Sequence, residues 1–513
     1  YNRVEWYTSY HAANMCNGAA VGVYHTCSPE EVEWVVGNSD SRVVFVGDNP
    51  MDGGNKEKMC AYRLYEILDK LEKVETVVVM DGVDMPEHDK CMSWSDFIDK
   101  GKDVDYSEIE KRVESITPDD TFSLIYTSGT TGNPKGVELT HDNIDFELAE
   151  VWKLQEFERG WGYVSWLPCA HVFGQLVDCH AHIRWGLHMT VVDAPLNVID
   201  YAKEVQPHLF IGVPRIYEKV YSNLVAKLGS KIKLAKLPIL GGIIKKKAKE
   251  AIGMSNCVYA ITGAAPINPD ILRLFHTLDI PLYEGYGMTE TSGIISIQTE
   301  GEVKIGSVGR ATPGTEIKIL DDGEICVRGE QNINSYYKNE QATEELLKPD
   351  SKGGYWLHTG DVGYVDEDGY LFITDRKKDI IITAGGKNVA PQNIENLMKT
   401  SPYISQAMVY GDRKPYLTML VTLDEDEITK FARDRKILYK DLSDLSKKKE
   451  VIELMNAIMK EKNKELASYE SIKKIRILEE DLDQDKNELT PTLKVKRKVV
   501  TEHYNALLEG MYS

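Results

Sequence analysis

The stretch that most constrains this 513-residue chain is 121–137, TFSLIYTSGTTGNPKGV: an apolar run ends at Tyr126 and opens into a loop of Thr, Ser and Gly before Lys135. Small hydroxyl residues and glycines after a strand let backbone N–H groups approach phosphate oxygens, and a lysine adds a point charge. Thr127, Ser128, Gly129, Thr130, Thr131, Gly132, Asn133, Pro134 and Lys135 are therefore candidate phosphate contacts. The arrangement is not GxxxxGK[ST], and Gly136 follows the lysine, which excludes the phosphate loop of kinases and small GTPases.

The surrounding pattern predicts α/β. Short β-branched runs at 41–46, 75–80 and 189–192 alternate with segments of helical period such as 59–71, the texture of parallel strands joined by helices. Between 317 and 371 it changes to short strands separated by Gly/Asp turns (Asp321-Asp322-Gly323, Asp366-Glu367-Asp368-Gly369), which predicts an antiparallel, barrel-like portion. From Asp424 the chain is Lys/Glu/Leu-rich and reads as helical. A break at 375–378 predicts a large unit, 1–377, with mixed and parallel sheets, and a small mobile α+β unit, 378–513. With 42% hydrophobic residues, both units have material for a core.

Charge and cysteine usage narrow the partners. Against 81 Asp+Glu stand 61 Lys+Arg, a formal charge of −20 that opposes polyanion binding, so no nucleic-acid partner is expected. Eight scattered cysteines without a CxxC pair fit a reducing, cytoplasmic setting. No uncharged apolar run reaches the ~18 residues of a bilayer span. Residue 1 is Tyr and 1–16 has no signal-peptide pattern, so the natural start is expected upstream. Cys179-His180-Ala181-His182 is metal-capable but lacks a second ligand pair. In 231–249, seven lysines flank the apolar run 237–244. That segment reads either as peripheral contact with the cytosolic face of an anionic membrane or as a solvated helix pair with inward apolar residues. Oligomeric state is not legible.

Three further segments carry chemistry-bearing residues. In 283–290, YEGYGMTE, with Gly263 and Ala264 shortly before it, Tyr286 offers an aromatic face to a purine, Thr289 a phosphate donor and Glu290 a hard-cation ligand. Glu284, Gly285, Gly287 and Met288 complete that candidate site, although an aromatic among glycines is also ordinary turn packing. Asp361 can accept both ribose hydroxyls with Arg376 beside it, or the two can be a surface ion pair. Lys494 lies in 489–497, LTPTLKVKR, where a lysine is ordinarily solvent-facing.

Taken together and in this order, these segments resemble the AMP-forming acyl-adenylate superfamily over most of the chain. The more specific similarity is to long-chain fatty acyl-CoA synthetases of the bubblegum type, carried by 165–175 (SWLPCAHVFGQ), 212–215 (GVPR), 382–391 (ITAGGKNVAP) and 489–497. The resemblance implies that a fatty acid and ATP give acyl-AMP and pyrophosphate, and that coenzyme A then displaces AMP. It assigns 127–135 to the pyrophosphate portion of ATP, Tyr286 to adenine, Thr289 to phosphate, Glu290 to Mg²⁺, and Asp361 with Arg376 to ribose. It implies that Lys494 meets the charge developing at the α-phosphate, that His171 adjoins the carboxylate, and that the small unit turns about Lys378. That turn would withdraw Lys494 and bring in Gly385 and Gly386 beside the coenzyme A tunnel.

Gly287 stands where acetate-using relatives have tryptophan, which implies a pocket open to a medium or long acyl chain. No acidic residue for an α-amino group lies near His171, which argues against amino-acid substrates. Two departures from the pattern are a short 216–264 segment and Cys169-Ala170 before His171. The alternative readings are an acyl-AMP-forming ligase serving another acceptor and a non-catalytic fatty-acid- or nucleotide-binding relative.

Overall fold

The computed structural model of the protein describes residues 2–48, 59–127, 133–238, 240–484, 486–490 and 493–513. Its largest sheet has seven strands, in the order Arg310–Ala311, Gly293–Ile297, Leu282–Met288, Tyr259–Thr262, Leu209–Gly212, Gly162–Ser165, His188–Val191. The last five run parallel, while the first two join antiparallel. Leu209–Gly212 and Tyr259–Thr262 are buried at every position, as strands covered on both faces must be. Helices Pro214–Leu228, Leu240–Ile252 and Pro269–Thr277 share one core with them, around Phe210, Tyr217, Leu272 and Phe275. Carboxyl ends of parallel strands are where open α/β sheets bind ligands, and here those ends lead into Trp166, Val213, Gly263 and Thr289.

Two smaller sheets precede it. Ala20–Gly22 pairs parallel to Thr121–Thr127, which pairs antiparallel to Lys135–Thr140 with Thr127 opposite Lys135. The candidate phosphate loop is thus the connection of a hairpin, and Ser128, Gly129, Thr130, Thr131 and Gly132 lie outside the described residues. Val43–Val46, Thr76–Val79 and Cys91–Ser93 form a parallel sheet. The helix expected over 59–71 is shorter: Cys60–Tyr65 is α-helical, and Leu68–Lys70 is a 3₁₀ turn that buries Leu68 and Leu71.

The Gly/Asp-punctuated region is a five-stranded antiparallel sheet of Glu316–Ile319, Glu324–Arg328, Tyr355–Val365, Leu347–Pro349 and Leu371–Arg376. Its register sets Asp361 opposite Arg376. Beyond Lys377 the chain builds a separate core around Ile394, Met419, Ile428 and Met455. There Ile404–Tyr410 pairs antiparallel to Leu417–Leu423, which pairs parallel to Ile472–Ile477. That last strand corrects the helical reading from Asp424 onward. Its sequence IKKIRI buries Ile472 and Ile475 between charged residues, and the Lys/Glu-rich surroundings hide so short an apolar signal.

Segment 231–249 divides between its two readings. Ala235 and Ala248 are buried and Ile232 and Ile244 pack on the core, whereas Leu234, Leu237, Leu240 and Ile243 stand 41–53% exposed. Ile239 lies outside the described residues. Among the described residues no helix is long and apolar enough to cross a membrane, and no cluster of His, Cys, Asp and Glu can hold a metal ion, 179–182 included.

Candidate active site

A cavity of about 600 Å³ opens at the carboxyl ends of the parallel strands and is roofed by the small unit. Thr127, Pro134, Lys135, His171, Gly263, Ala264, Gly285, Tyr286, Gly287, Met288, Thr289, Glu290, Arg376 and Lys494 all face it. Six separate stretches of sequence therefore meet there.

Lys135 leaves the hairpin with its ammonium 5.0 Å from the centre of the Tyr336 ring, a cation–π contact. The Tyr336 hydroxyl donates to Glu290 Oε1 at 2.7 Å. One buried tyrosine thus fixes both the lysine and the acidic residue, and nothing in the sequence around Tyr336 signals it. A second unforeseen contact is Trp34, on helix Pro29–Asn38, whose indole N–H donates to the Pro134 carbonyl at 2.9 Å and pins the loop's exit. Glu290 follows directly from the strand that carries Tyr286, so cation ligand and aromatic face share one rigid element.

His171 caps the helix that begins at Val172, and its Nδ1 accepts the Phe173 N–H at 3.2 Å. That bond assigns the ring proton to Nε2. Burial, with Lys494 nearby, depresses its basicity to about 4, so the ring stays neutral at physiological pH and Nε2–H is a neutral donor. The ring thus caps the helix and also faces the cavity. The helix continues as a π-helical segment, Leu176–Ala181, a local widening often found beside functional sites.

Lys494 sits at the end of a tight turn. Its backbone N–H donates to Thr490 Oγ1 and its carbonyl accepts the Thr490 N–H, while Leu489 bridges Val495. Burial, then the Arg376 guanidinium, lowers the ammonium to about 8, with Asp361 pulling the other way. Among the described residues no carboxylate forms an ion pair with this cation, which suits it to an anionic ligand.

Asp361 accepts the Tyr286 hydroxyl at 2.7 Å on Oδ2 and meets Arg376 Nε at 3.2 Å on Oδ1. The surface-pair reading does not describe this arrangement, since Asp361 is buried and Tyr286 ties it to the cavity. Thr359, unremarked in the sequence, accepts the Asp361 N–H through Oγ1. Lys377 is bolted to the large unit by Asp322 at 2.6 Å and Glu324 at 2.9 Å, and by its N–H to Gly360 O.

Other candidates fall elsewhere. Glu284 accepts the Ile267 N–H at 3.2 Å, and burial raises its carboxyl to about 8, so it braces the 263–268 loop. Asn133 lines neither this cavity nor the adjoining cleft of about 1220 Å³. Gly385 and Gly386 also line neither, because their loop lies on the exposed side of the small unit when Lys494 is turned in. At Gly287 a Cβ would collide with the Gly293 carbonyl across a bulge in the strand pair. Close backbone approach therefore accounts for this glycine, which also lines the cavity.

Comparison with known proteins gives a consistent result. A family model described as AMP-binding enzyme matches residues 1–337, and one described as AMP-binding enzyme C-terminal domain matches 378–513. A long-chain-fatty-acid–CoA ligase, FadD15, of Mycobacterium bovis is 32% identical over all of this chain and 86% of its own length. The long-chain-fatty-acid–CoA ligase ACSBG2 of Gallus gallus is 33% identical over all of this chain and 73% of its own. Among solved structures, an anthranilate CoA ligase, AuaEII, in complex with anthranoyl-AMP superposes with a TM-score of 0.73 at 19% identity, covering 99% of this chain and 87% of that one. An A-PCP didomain of a carboxylic acid reductase from Segniliparus rugosus, in complex with AMP, gives the same TM-score at 19% identity, over 100% of this chain and 71% of that one. These last two speak to the fold alone.

Proposed function

The chain belongs to the AMP-binding enzyme family, and on that premise we propose a division of labour among its residues for the two-step activation of a fatty acid. The enzyme is a long-chain fatty acid–CoA ligase: acid and ATP give acyl-AMP and pyrophosphate, and acyl-AMP and coenzyme A give the thioester and AMP. The observation that carries the residue roles is that Lys494, from the C-terminal unit, faces the same cavity as His171, Tyr286, Thr289 and Glu290.

In the first step one anion attacks another, so rate depends on cations and fixed donors where charge accumulates. Lys494 bridges the carboxylate oxygen and the α-phosphate. Lys135, Thr289 and the 127–135 loop hold the departing pyrophosphate, and the neutral His171 donates from Nε2 to the fatty carboxylate. Tyr286 lies against adenine, while Asp361 and Arg376 take the ribose hydroxyls. Tyr336 engages one Glu290 oxygen and leaves the other to the cavity, a hard-oxygen donor that fits Mg²⁺. When bound, that ion would neutralise phosphate charge.

The second step needs Lys494 out and the thiol in. The division at Lys377/Lys378 suits this, because Lys377 is anchored to the large unit and Lys378 opens the small one, so the rotation is placed at Lys378. The segment carrying Gly385 and Gly386 then enters to form the coenzyme A tunnel. Peripheral membrane contact through 231–249 is supported by the exposed Leu234, Leu237, Leu240 and Ile243 beside the exposed Lys231, Lys236, Lys246 and Lys247. AMP release from C2 to C24 acids, assayed with and without coenzyme A, tests the reaction. Release only with long acids, giving thioester when coenzyme A is present, supports it; accumulation of acyl-AMP despite coenzyme A refutes the thioester step.

A further inference from the structure

The cleft between the two units is bridged by Arg215. It follows Pro214 in the first turn of helix Pro214–Leu228, directly after the parallel strand Leu209–Gly212. Proline at the first helical position fixes the backbone there, so the guanidinium projects from a rigid base. Its Nη2 donates to Ser405 Oγ at 3.3 Å and meets Asp424 Oδ2 at 3.5 Å, while Nη1 lies 3.6 Å from Glu218 of its own helix.

Ser405 and Asp424 both belong to the small unit, and their surroundings aim them. Ser405 donates to Asp481 Oδ2 at 2.6 Å, and Thr422 holds the other Asp481 oxygen. Asp424 caps helix Glu425–Asp434 through Oδ1, which accepts the Glu427 N–H, and this turns Oδ2 toward Arg215. Arg215 and Asp424 are each about 25% exposed, so water screens the pair only in part.

Turning Lys494 inward brings its ammonium, stripped of water, toward the cationic Arg376. That approach opposes closure, so an attraction elsewhere between the units must offset it. We propose that Arg215 is a positioning residue, a latch that holds the small unit with Lys494 in the site for adenylate formation and releases Ser405 and Asp424 for the thioester step. The proposal rests on the two-step reading of function above.

The test uses R215M, which keeps the aliphatic stem, and D424N, which keeps an effective helix cap. Adenylate formation is read by fatty-acid-dependent exchange of pyrophosphate into ATP, and the second step by thioester formation from supplied acyl-AMP. Each variant should lose about fivefold in exchange, the equilibrium worth of a partly exposed ion pair, with thioester formation unchanged or faster. R215K should recover part of the loss. The R215M/D424N double variant should be no slower than either single one, and 0.5 M NaCl should bring the native enzyme toward them.

A readout independent of activity is the labelling rate of Lys494 by acetic anhydride, which should rise in both variants. Equal loss in both half-reactions, additive effects in the double variant, or unchanged labelling would overturn the latch. Absence of exchange in the native enzyme with every acid, alongside faster labelling in the variants, would instead sink the catalytic reading and leave the latch standing.

Discussion

The depressed basicity of Lys494 makes the first half-reaction sensitive to alkali in a calculable way. With its ammonium at about 8, the charged fraction falls from about 0.9 at pH 7 to about 0.1 at pH 9. The kcat/KM for ATP in pyrophosphate exchange reports the free enzyme and should therefore drop about tenfold over that span. Bound ATP favours the charged lysine, so the limb in kcat should lie at higher pH. His171, at about 4, does not titrate in this window. Titration of Lys494 does not itself favour unfolding: it titrates lower in the folded protein than in the unfolded chain, so between about 8 and 10.5 its contribution to stability rises with pH. Thioester formation from supplied acyl-AMP should lack the falling limb and rise as the thiol ionises. Lys494→Ala should cost about 10²- to 10³-fold in exchange and abolish the limb. A native profile flat from pH 7 to 9.5, or the same falling limb in both half-reactions, would refute the assignment.

Tyr336→Phe removes the hydroxyl that holds Glu290, and should raise the Mg²⁺ concentration needed for half-maximal exchange severalfold while leaving the fatty-acid KM unchanged, as a Mg²⁺ titration would show. Asp178, buried among Ser165, Tyr7 and Asn2, is raised to about 7 by burial; the stability it contributes is full below about 4 and is lost as pH rises through 7. Asp178→Asn should flatten that slope in urea unfolding followed from pH 4 to 7.5, whereas Asp178→Ala should cost about 3 kcal/mol by orphaning its donors. Sedimentation with phosphatidylglycerol vesicles, but not phosphatidylcholine ones, should carry the protein down, and L237E/L240E should reduce that binding at least tenfold.

What the sequence made legible divides by the range of the interaction. The strand that runs into the 127–135 loop, the parallel strands near 41–46, 75–80 and 189–192 and the Gly/Asp turns follow from local rules, and each could be read where it stands. The strand Ile472–Ile477 was obscured because only two of its six residues are buried, too few to outweigh the helical composition around them. Tyr336 could not have been found, since its value lies in a contact with Glu290 46 residues away and with Lys135 across a different sheet. The same limit applied at Gly287, whose missing side chain is also required by the Gly293 carbonyl across the strand pair.

The geometry also bears on why one cavity can serve two reactions. Lys494 faces the cavity while Gly385 and Gly386 stand clear of it, and all three belong to the same small unit. On the roles proposed above, a rigid body anchored at one link would not present both faces at once, which would commit the alkali-sensitive cation to the first step and withdraw it with that step. On the same proposal, the Arg376 charge that lowers the Lys494 ammonium would act in both directions: the closed state would need the polyphosphate, helped by Arg215, and loss of pyrophosphate would favour reopening. An arrangement that left the lysine fully solvated would make closure easy but give release no driving force.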